Sequence, residues 1–418
     1  MDVTAPAILL SIIAPGSTTA ERPEILQTRV KKLQVQRKAK TAPKATLTIR
    51  NDDNLFPDNA LFEVGAILVL SWGYFPARMT APRRFVVQKW FPDVPDFKVE
   101  AHGESILLHK EQKVRHWENK RPSDVVREVA AEHFYGPGSQ DIEDIGEVKP
   151  LINQCGWTDA DLLRRICKKE SKNGVEVVWY IDDTGFHFHA KRLGQKPRRV
   201  FVYVGPGAGD YLDYPKFEAS VAQKPGSVTV SGVDPKTQKP VSATADDSTT
   251  AGRPALAPVQ LVLDKKNGTK SYQQAAVQTA VVATSVKTVD EAKRLAGAIF
   301  ARANTTPVKC TMKILGEPLL DVHSIIEQRG IGQRLSGLYE VTEIADDVSP
   351  GKFEQTVKCG RNGLTSGGGG GVVTKADVNK KTGPDPDKAG GDLEPALTID
   401  KATGVNKTVW KTPGGKSS

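Results

Sequence analysis

The stretch TVDEAKRLAGAIF at residues 288–300, with VKCTMKI at residues 308–314 after it, carries the clearest folding pattern in this chain. Thr288 and Glu291 have the spacing of a capping box, which satisfies free amides where a helix begins. Apolar residues then recur at i, i+3, i+4 and i+7, on one face of a helix: Ala292, Leu295, Ala296 and Ile299. Residues 308–314 alternate apolar and polar, as a strand with one buried face does. We therefore predict a helix followed by a strand.

Further strands are predicted after this pair, so that one helix and four strands form a small barrel with the helix packed on it. The three added strands are Val322–Glu327, Leu338–Ile344 and Phe353–Cys359. This barrel is assigned to residues 216–362, which also hold candidate strands at Ser227–Val233 and Val259–Leu263, a turn at Asn267-Gly268 and an exposed polar excursion at about 236–258.

Residues 1–110 are also rich in predicted strands. The candidates are Ala7–Ala14, Lys44–Arg50, Val64–Gly73, Arg84–Trp90 and Phe97–His102. Short strands at this spacing favour a small barrel or sandwich. We assign a first barrel to residues 1–110, with a contribution from residues 216–235.

Residues 111–215 change character and predict an inserted α+β domain. Ser123 and Thr158 are candidate caps for two helices with apolar faces. Two strands follow, Val175–Ile181 and Phe186–Ala190, joined by a turn at residues 182–185. Gly205-Pro206-Gly207-Ala208-Gly209 lacks the Lys-Ser/Thr ending of a phosphate-binding loop and is interpreted as a linker.

The last segment, residues 363–418, begins with a glycine run at 367–371 and has few large apolar residues. Such a composition cannot bury enough surface to offset chain entropy. We predict a flexible tail, or one that becomes ordered only against a partner.

Composition restricts the function without deciding it. The net charge of +9 is a modest excess for 418 residues and permits an acidic partner without requiring one. The four cysteines, Cys155, Cys167, Cys310 and Cys359, form no CxxC pair, which favours buried reduced thiols over a zinc knuckle or a disulfide framework. The longest apolar run near the start, Ala7–Ala14, is too short to span a bilayer. We expect folding in a cytoplasm.

Several runs, in this order along residues 1–362, resemble the phage late control D family, whose members share the tail-hub fold with the base of the type VI secretion spike. They are FEVGAILVLSWGY (62–74), WTDADLLRRI (157–166), VTVSGVDPKT (228–237), the helix at 291–300 and GIGQRLSGLYEV (330–341).

The resemblance implies a mainly β chain with two tube-type β-barrels in tandem, an α/β domain inserted between them and the tail described above. It also implies a non-enzymatic hub of a contractile-tail baseplate. Such a hub is a homotrimer between a six-fold tail tube, or its initiator protein, and a three-fold spike. Tape measure protein or DNA would pass through the channel. The expected location is the virion tail baseplate or an injection particle, assembled in the host cytoplasm. The sequence after Cys359 shows no octet repeat typical of a spike needle, so the spike is expected to be a separate chain.

His187 and His189 lie two apart on a predicted strand and therefore share a face, as a metal-binding pair does. His102, His109 and His116 lie on other elements, so we find no third ligand at a suitable spacing. No metal, cofactor or catalytic residue is predicted.

An alternative function is a tail-associated peptidoglycan hydrolase, for which the acidic run Asp141, Glu143, Asp144 and Glu147 could supply a carboxylate pair. Nothing in the sequence desolvates one of these carboxyls, and we interpret the run as a solvated loop. A third alternative, sequence-independent nucleic-acid binding, rests on the segment 22–50, which has nine basic residues and one acidic residue. A solvated or subunit-facing strand pair is the competing interpretation.

Overall fold

The computed structural model describes residues 5–205, 208–219, 226–246, 249, 254–257, 279–283, 286–304, 307–332, 334–362, 371–372, 394–399 and 406–411. The strand predicted at Val259–Leu263 and the turn predicted at Asn267-Gly268 lie outside these residues. So does most of the predicted tail.

The described residues are mainly β, as predicted. The α-helices are α1 (Glu24–Arg29), α2 (Pro122–Glu132), α3 (Asp159–Lys169) and α4 (Val289–Asn304). The strands before the second half of the chain are β1 (Ala5–Ile13), β2 (Val30–Lys38), β3 (Thr41–Arg50), β4 (Ile67–Phe75), β5 (Arg78–Met79), β6 (Arg83–Pro92), β7 (Asp96–Gly103), β8 (Gln112–Lys120), β9 (Gln140–Ile142), β10 (Lys149–Thr158), β11 (Ser171–Lys172), β12 (Val175–Ile181), β13 (Phe186–Ala190), β14 (Arg199–Gly205) and β15 (Ala208–Gly209).

The remaining strands are β16 (Lys216–Ala219), β17 (Ser227–Val233), β18 (Pro240–Asp246), β19 (Pro254–Ala255), β20 (Thr279–Ala283), β21 (Val308–Leu315), β22 (Ile325–Arg329), β23 (Gly337–Ser349), β24 (Lys352–Arg361), β25 (Gly371–Val372), β26 (Glu394–Ile399) and β27 (Asn406–Lys411). Short 3-10 helices lie at Ala60–Phe62, Glu104–His109 and Pro137–Ser139.

The first barrel consists of strands in the order β1-β4-β6-β7-β3-β2, and β2 continues the sheet onto β23. Strict alternation sends one face of each strand inwards, as in β3, where Ala45, Leu47 and Ile49 are fully buried. The core is apolar and rich in aromatic rings, with Phe97 packed against Phe56 and Phe62. This unit agrees with the strands predicted for residues 1–110.

The second barrel consists of β16, β21, β24, β23, β22, β14 and β15 in this order of pairing. A bridge between Tyr211 and Ile314 brings the β15 end back to β21. Its core holds β-strand side chains such as Ile314, Tyr339 and Val357.

The two barrels are joined through one long strand, β23. Its first residues pair with β22, its residues 343–348 pair with β2, and β24 lies along its other side. The two barrels therefore belong to one continuous 14-stranded sheet.

Between the barrels in sequence lies the insert, Gln112–Ala190. It contains the ribbon β8–β10, the sheet β11-β12-β13-β9 and helices α2 and α3. A separate apolar core joins the two helices to the sheet, through residues such as Val126, Leu163 and Phe186.

Several predicted boundaries differ from the strand pairing. Strand β14, expected in the insert, pairs with β22 of the second barrel. Residues 216–235, expected to contribute to the first barrel, do not: β16 pairs with β21, and β17 forms a third sheet with β18 and β20. Helix α4 packs on this third sheet instead of on the second barrel, because its stripe of Ala292, Ala296 and Phe300 meets Val228 and Val230.

The excursion predicted as exposed at about 236–258 contains β18, paired with β17 along its whole length. Ala257 at its end is buried, and its amide donates to the Asn362 side chain at 3.0 Å. In the predicted tail, β25 pairs with β19, and β26 pairs with β27.

The predicted helix caps have different outcomes. Thr158 caps α3, because its hydroxyl accepts from the Asp161 amide at 3.2 Å. Thr288 accepts from the Glu291 amide at 3.1 Å, as predicted for α4. Ser123 does not cap α2: Pro122 occupies the first helical position and Ser123 is buried one residue later. Proline suits that first position because its missing N–H would have no partner there.

The four cysteines are free thiols; Cys167, Cys310 and Cys359 are buried as predicted, whereas Cys155 on β10 is exposed. No helix among the described residues is long and apolar enough to cross a membrane.

Candidate functional site at the junction of the barrels and the insert

Arg37 on β2 lies where the two barrels share β23. Its side chain is buried, and its guanidinium donates to Asp346 Oδ2 at 2.8 and 3.2 Å. It also donates to the Leu320 carbonyl oxygen at 2.8 Å and to Asp321 Oδ1 at 3.1 Å. A buried guanidinium needs a nearby negative charge and acceptors for its N–H groups, and residues of the second barrel supply both. Arg37 therefore connects the first barrel to the second.

Arg83 on β6 connects all three units. Its guanidinium pairs with Asp321 of the second barrel and, at 3.1 Å, with Asp183 in the turn between β12 and β13 of the insert. Burial raises the pKa of Asp321, but the charges of Arg37 and Arg83 outweigh it, so the net shift is downward. Arg37 and Arg83 both lie over the Trp72 ring, 5.7 and 5.9 Å from its centroid. Trp72 is thus a shared platform for the two cations.

A second ionic group joins the insert to the second barrel. Lys191, which follows β13, donates to Glu340 at 2.9 Å and lies 3.1 Å from Glu176. His323 Nδ1 is 3.0 Å from the other oxygen of Glu340, and the His323 ring stacks on Tyr180 of the insert at 4.8 Å. Burial raises the pKa of Glu340, but Lys191 and His323 lower it by a larger amount. The net result is a pKa of about 2. Glu340 is therefore a carboxylate at neutral pH.

A cavity of about 190 Å³ lies beside this network, with walls from both barrels and the insert. Cys167 is one of its lining residues. Burial raises the pKa of the Cys167 thiol strongly, which disfavours the reactive thiolate. The arrangement is suited to holding three units in a defined orientation.

The basic stretch 22–50 lies mainly on the β2–β3 hairpin. Seven of its nine basic residues form ion pairs with carboxylates: Arg29 with Asp53, Lys31 with Asp96, Lys32 with Asp347, Arg37 with Asp346, Lys38 with Glu343, Lys44 with Glu100 and Arg50 with Asp52. Such ion pairs neutralise the positive charge that would attract nucleic-acid phosphates. The stretch therefore fits a strand pair better than a nucleic-acid surface.

The four carboxylates of the acidic run are also ion-paired with basic side chains. Asp141 accepts from Arg192 at 2.6 Å, and Glu143 accepts from Lys172 at 3.0 Å. Asp144 pairs with Arg127, and Glu147 lies 2.7 Å from Arg294. Contrary to the predicted loop, Asp141 lies on β9.

Burial raises the pKa of Asp141, but hydrogen bonds from Arg192 and His187 lower it by a larger amount, so the net shift is downward. The hydrogen bond from Arg127 lowers the pKa of Asp144. A glycosidase general acid needs a raised pKa, and these carboxyls show the opposite shift.

The structure brings His187 and His189 to one face of β13, as predicted, and adds a third group. Strand β9 runs parallel to β13 with Asp141 opposite His187. His187 Nδ1 lies 3.1 Å from Asp141 Oδ2. Sequence spacing did not reveal this neighbour, because Asp141 is far from the pair along the chain.

Sequence reasoning also missed the junction charges, although a signal for some was present. Arg37 continues the buried face of Leu33 and Val35 at a spacing of two residues. Asp346 likewise lies between the buried Ile344 and Val348. A charged residue in register with buried apolar residues on a strand indicates a buried ion pair.

No protein-family model matches the sequence, and no curated protein matches it. Solved structures do match the fold. A tail protein from Neisseria meningitidis has a TM-score of 0.59 at 9% identity, covering 86% of this chain and 98% of that chain. The 43 kDa tail protein of prophage MuSo2 from Shewanella oneidensis has a TM-score of 0.58 at 12% identity, covering 85% and 98%.

Prophage tail protein gp18 from Listeria monocytogenes has a TM-score of 0.50 at 8% identity, covering 85% of this chain and 95% of that chain. Each match extends over nearly all of the neighbouring chain. The predicted resemblance is confirmed at the level of fold: this chain has the mainly β fold of phage tail proteins.

Proposed function

We propose that this protein is a non-enzymatic structural hub of a contractile-tail baseplate, acting as a homotrimer. Each chain contributes two barrels, so three chains present six similar β-units. One side of the ring can then start a six-fold tail tube, and the other can receive a three-fold spike. The tape measure protein or DNA would occupy the central channel, and the protein would reside in a virion tail or an injection particle.

The observation that carries this proposal is the continuous strand pairing of two barrels within one chain. Strand β23 is shared by both, and Arg37 and Arg83 bury ion pairs across the joint. A pair of barrels at a fixed angle is what a ring of six units built from three chains requires, because each chain must hold the same angle for the ring to close.

The hydrolase alternative has less support from the geometry. The carboxylates of the acidic run lie in ion pairs, and the pKa values of Asp141 and Asp144 are shifted in the direction opposite to that of a general acid. We therefore expect no release of soluble muropeptides from purified sacculi.

Exposed apolar side chains at one end of the first barrel are candidates for the contact between subunits. Leu55, Phe91 and Val94 are about half exposed or more. The loop 51–56 is hydrogen-bonded to the turn 93–95, since the Asn51 amide donates to the Pro95 carbonyl at 2.7 Å. This places Leu55 and Val94 at the same end of the barrel, where another copy could cover them.

The proposal is tested by replacing Phe91 and Val94 together with Asp and measuring assembly of particles from the variant. We expect the variant to remain folded but to yield far fewer assembled tails. The matched control is Phe134→Asp, because Phe134 is 97% exposed and belongs to the insert instead of the first barrel. Normal assembly of the Phe91/Val94 variant would refute this subunit contact, and muropeptide release by the wild-type protein would refute the non-enzymatic role.

A further inference from the structure

Three potential metal ligands face one another on two neighbouring strands of the insert. Asp141 lies on β9, and His187 and His189 lie on β13. Asp141 Oδ2 is 3.1 Å from His187 Nδ1 and 3.9 Å from His189 Nε2. The three donor atoms lie within 4.8 Å of one another. A tetrahedral ion with bonds of about 2.0–2.2 Å separates its ligand atoms by about 3.3–3.6 Å, so this spacing needs only small side-chain rotations.

The outer hydrogen bonds orient both imidazoles towards the shared centre. His189 Nδ1 lies 2.8 Å from the Ala190 carbonyl oxygen, an acceptor only, so this nitrogen carries the proton. Its Nε2 then carries a lone pair, which lies 3.3 Å from the Tyr180 hydroxyl and 3.9 Å from Asp141 Oδ2. Similarly, His187 Nε2 lies 2.9 Å from Asp182 Oδ1. When Nε2 carries the proton and donates it to Asp182, Nδ1 keeps a free lone pair. Carbonyl and carboxylate acceptors behind metal-binding histidines have this same function in known sites.

The Asp141 carboxylate is also oriented by a hydrogen bond. Arg192 donates to Asp141 Oδ1 at 2.6 Å, which leaves Oδ2 directed at the two rings. His187 and His189 are both buried. In that arrangement a lone pair of His187 faces a carboxylate oxygen, which is unfavourable unless a cation lies between them. Either a second proton on His187 or a metal ion can supply the positive charge.

We propose that Asp141, His187 and His189 bind a divalent transition-metal cation of the Zn²⁺ class, with a water molecule as fourth ligand. Two imidazole nitrogens and one carboxylate suit such an ion, whereas Ca²⁺ and Mg²⁺ prefer oxygen ligands. The Tyr180 hydroxyl donates to His189 Nε2 at 3.3 Å in this structure, and an ion bound at Nε2 would release this hydroxyl to hydrogen-bond the water.

The bound ion would cross-link β9 to β13 close to the second barrel. The Tyr180 ring stacks between His187, at 4.5 Å, and His323, at 4.8 Å. Fixing His187 therefore also fixes the contact between the insert and the second barrel. This inference is independent of the proposed hub function, since it depends only on the geometry of the insert.

The test is calorimetric titration of ZnCl₂ into metal-stripped full-length protein near neutral pH. We expect one equivalent to bind, and Asp141→Asn or His189→Gln, which remove a ligand, to weaken the affinity by about 100-fold. Asp182→Asn, which removes only the support behind His187, should weaken it about 10-fold. The matched control is His116→Gln, because the His116 side chain is exposed on β8 and should not affect binding.

A measurement on the wild-type protein keeps the test decisive if a variant misfolds. X-ray absorption at the zinc edge should show two imidazole nitrogens with oxygen ligands at about 2.0–2.2 Å. The proposal is overturned if no saturable zinc binding occurs, if Asp141→Asn and His189→Gln both fold and bind as the wild type does, or if the absorption spectrum shows no imidazole. Protonation of His187 without metal would then be the correct interpretation.

Discussion

The core of the first barrel and the junction are both buried, but they are built from opposite kinds of side chain. In the barrel core, Leu47, Ile49 and Phe97 pack with no polar partner to satisfy. In the junction, Arg37, Asp346 and Glu340 are equally buried, and each charge is stable only beside a partner: Arg37 pairs with Asp346, and Glu340 pairs with Lys191. An apolar core depends mainly on volume and pattern, whereas a buried ionic network depends on every member being present. The barrels can therefore tolerate sequence change that the joint between them cannot.

The largest loss of folding stability is expected from a substitution at Arg37. Arg37→Leu leaves the Asp346 carboxylate buried without its cation, and should lower the free energy of unfolding by about 3–5 kcal/mol. Denaturant titration of the full chain measures this. Adding Asp346→Leu should recover a large part of the loss, because the unpaired charge is then removed. A double variant as unstable as the sum of its two single variants would contradict the idea of a paired network.

The second prediction concerns the loss of folding stability at low pH. The pKa of Glu340 is about 2 in the folded chain, below the value of about 4.3 in an unfolded chain. Its contribution, about 3 kcal/mol, is therefore complete above pH 4.3 and lost as the pH falls towards 2. Urea midpoints measured from pH 6 to pH 2 should fall less steeply for Glu340→Gln than for the wild type.

The control for this acid effect is Glu118→Gln, since the Glu118 side chain is exposed on β8. It should leave the pH dependence unchanged. If Glu340→Gln and the wild type lose stability in parallel, then the ion pairs of Glu340 with Lys191 and His323 do not contribute in the way described.

The smallest effect is expected in the barrel core. Ile49→Val removes one methylene group from a fully buried site and should cost about 0.5–1.5 kcal/mol in the same denaturant titration. By contrast, the equally conservative Arg37→Lys loses the forked contacts to Asp346, Leu320 and Asp321 and should cost more. A lower cost for Arg37→Lys than for Ile49→Val would remove the distinction between the two regions.

The same contrast explains what the sequence could predict. Alternation of apolar and polar residues located β3, β7, β21 and β24 nearly residue by residue, because their buried faces are apolar. Strand β8 was missed, since its alternation is weak: Val114 faces solvent and Trp117 is buried. The third sheet was assigned to the barrels because β18 was taken as part of an exposed polar excursion, and because β17 also pairs with β20, which is far away in sequence.

For the candidate sites, sequence found the shared face of His187 and His189 but not Asp141, which reaches them through parallel pairing with β9. The junction was missed because charged residues on strands were taken as solvated. Their burial depends on contacts between units, such as Arg83 with Asp321, that no local pattern encodes.

The central claim, that three chains form a ring of six barrels, is tested most directly by cryo-electron microscopy of the assembled particle. The hub layer, reconstructed without imposed symmetry, should show three copies of this chain, with six barrels around one channel and three inserts. A hub with six copies, or with a single copy, would contradict the account.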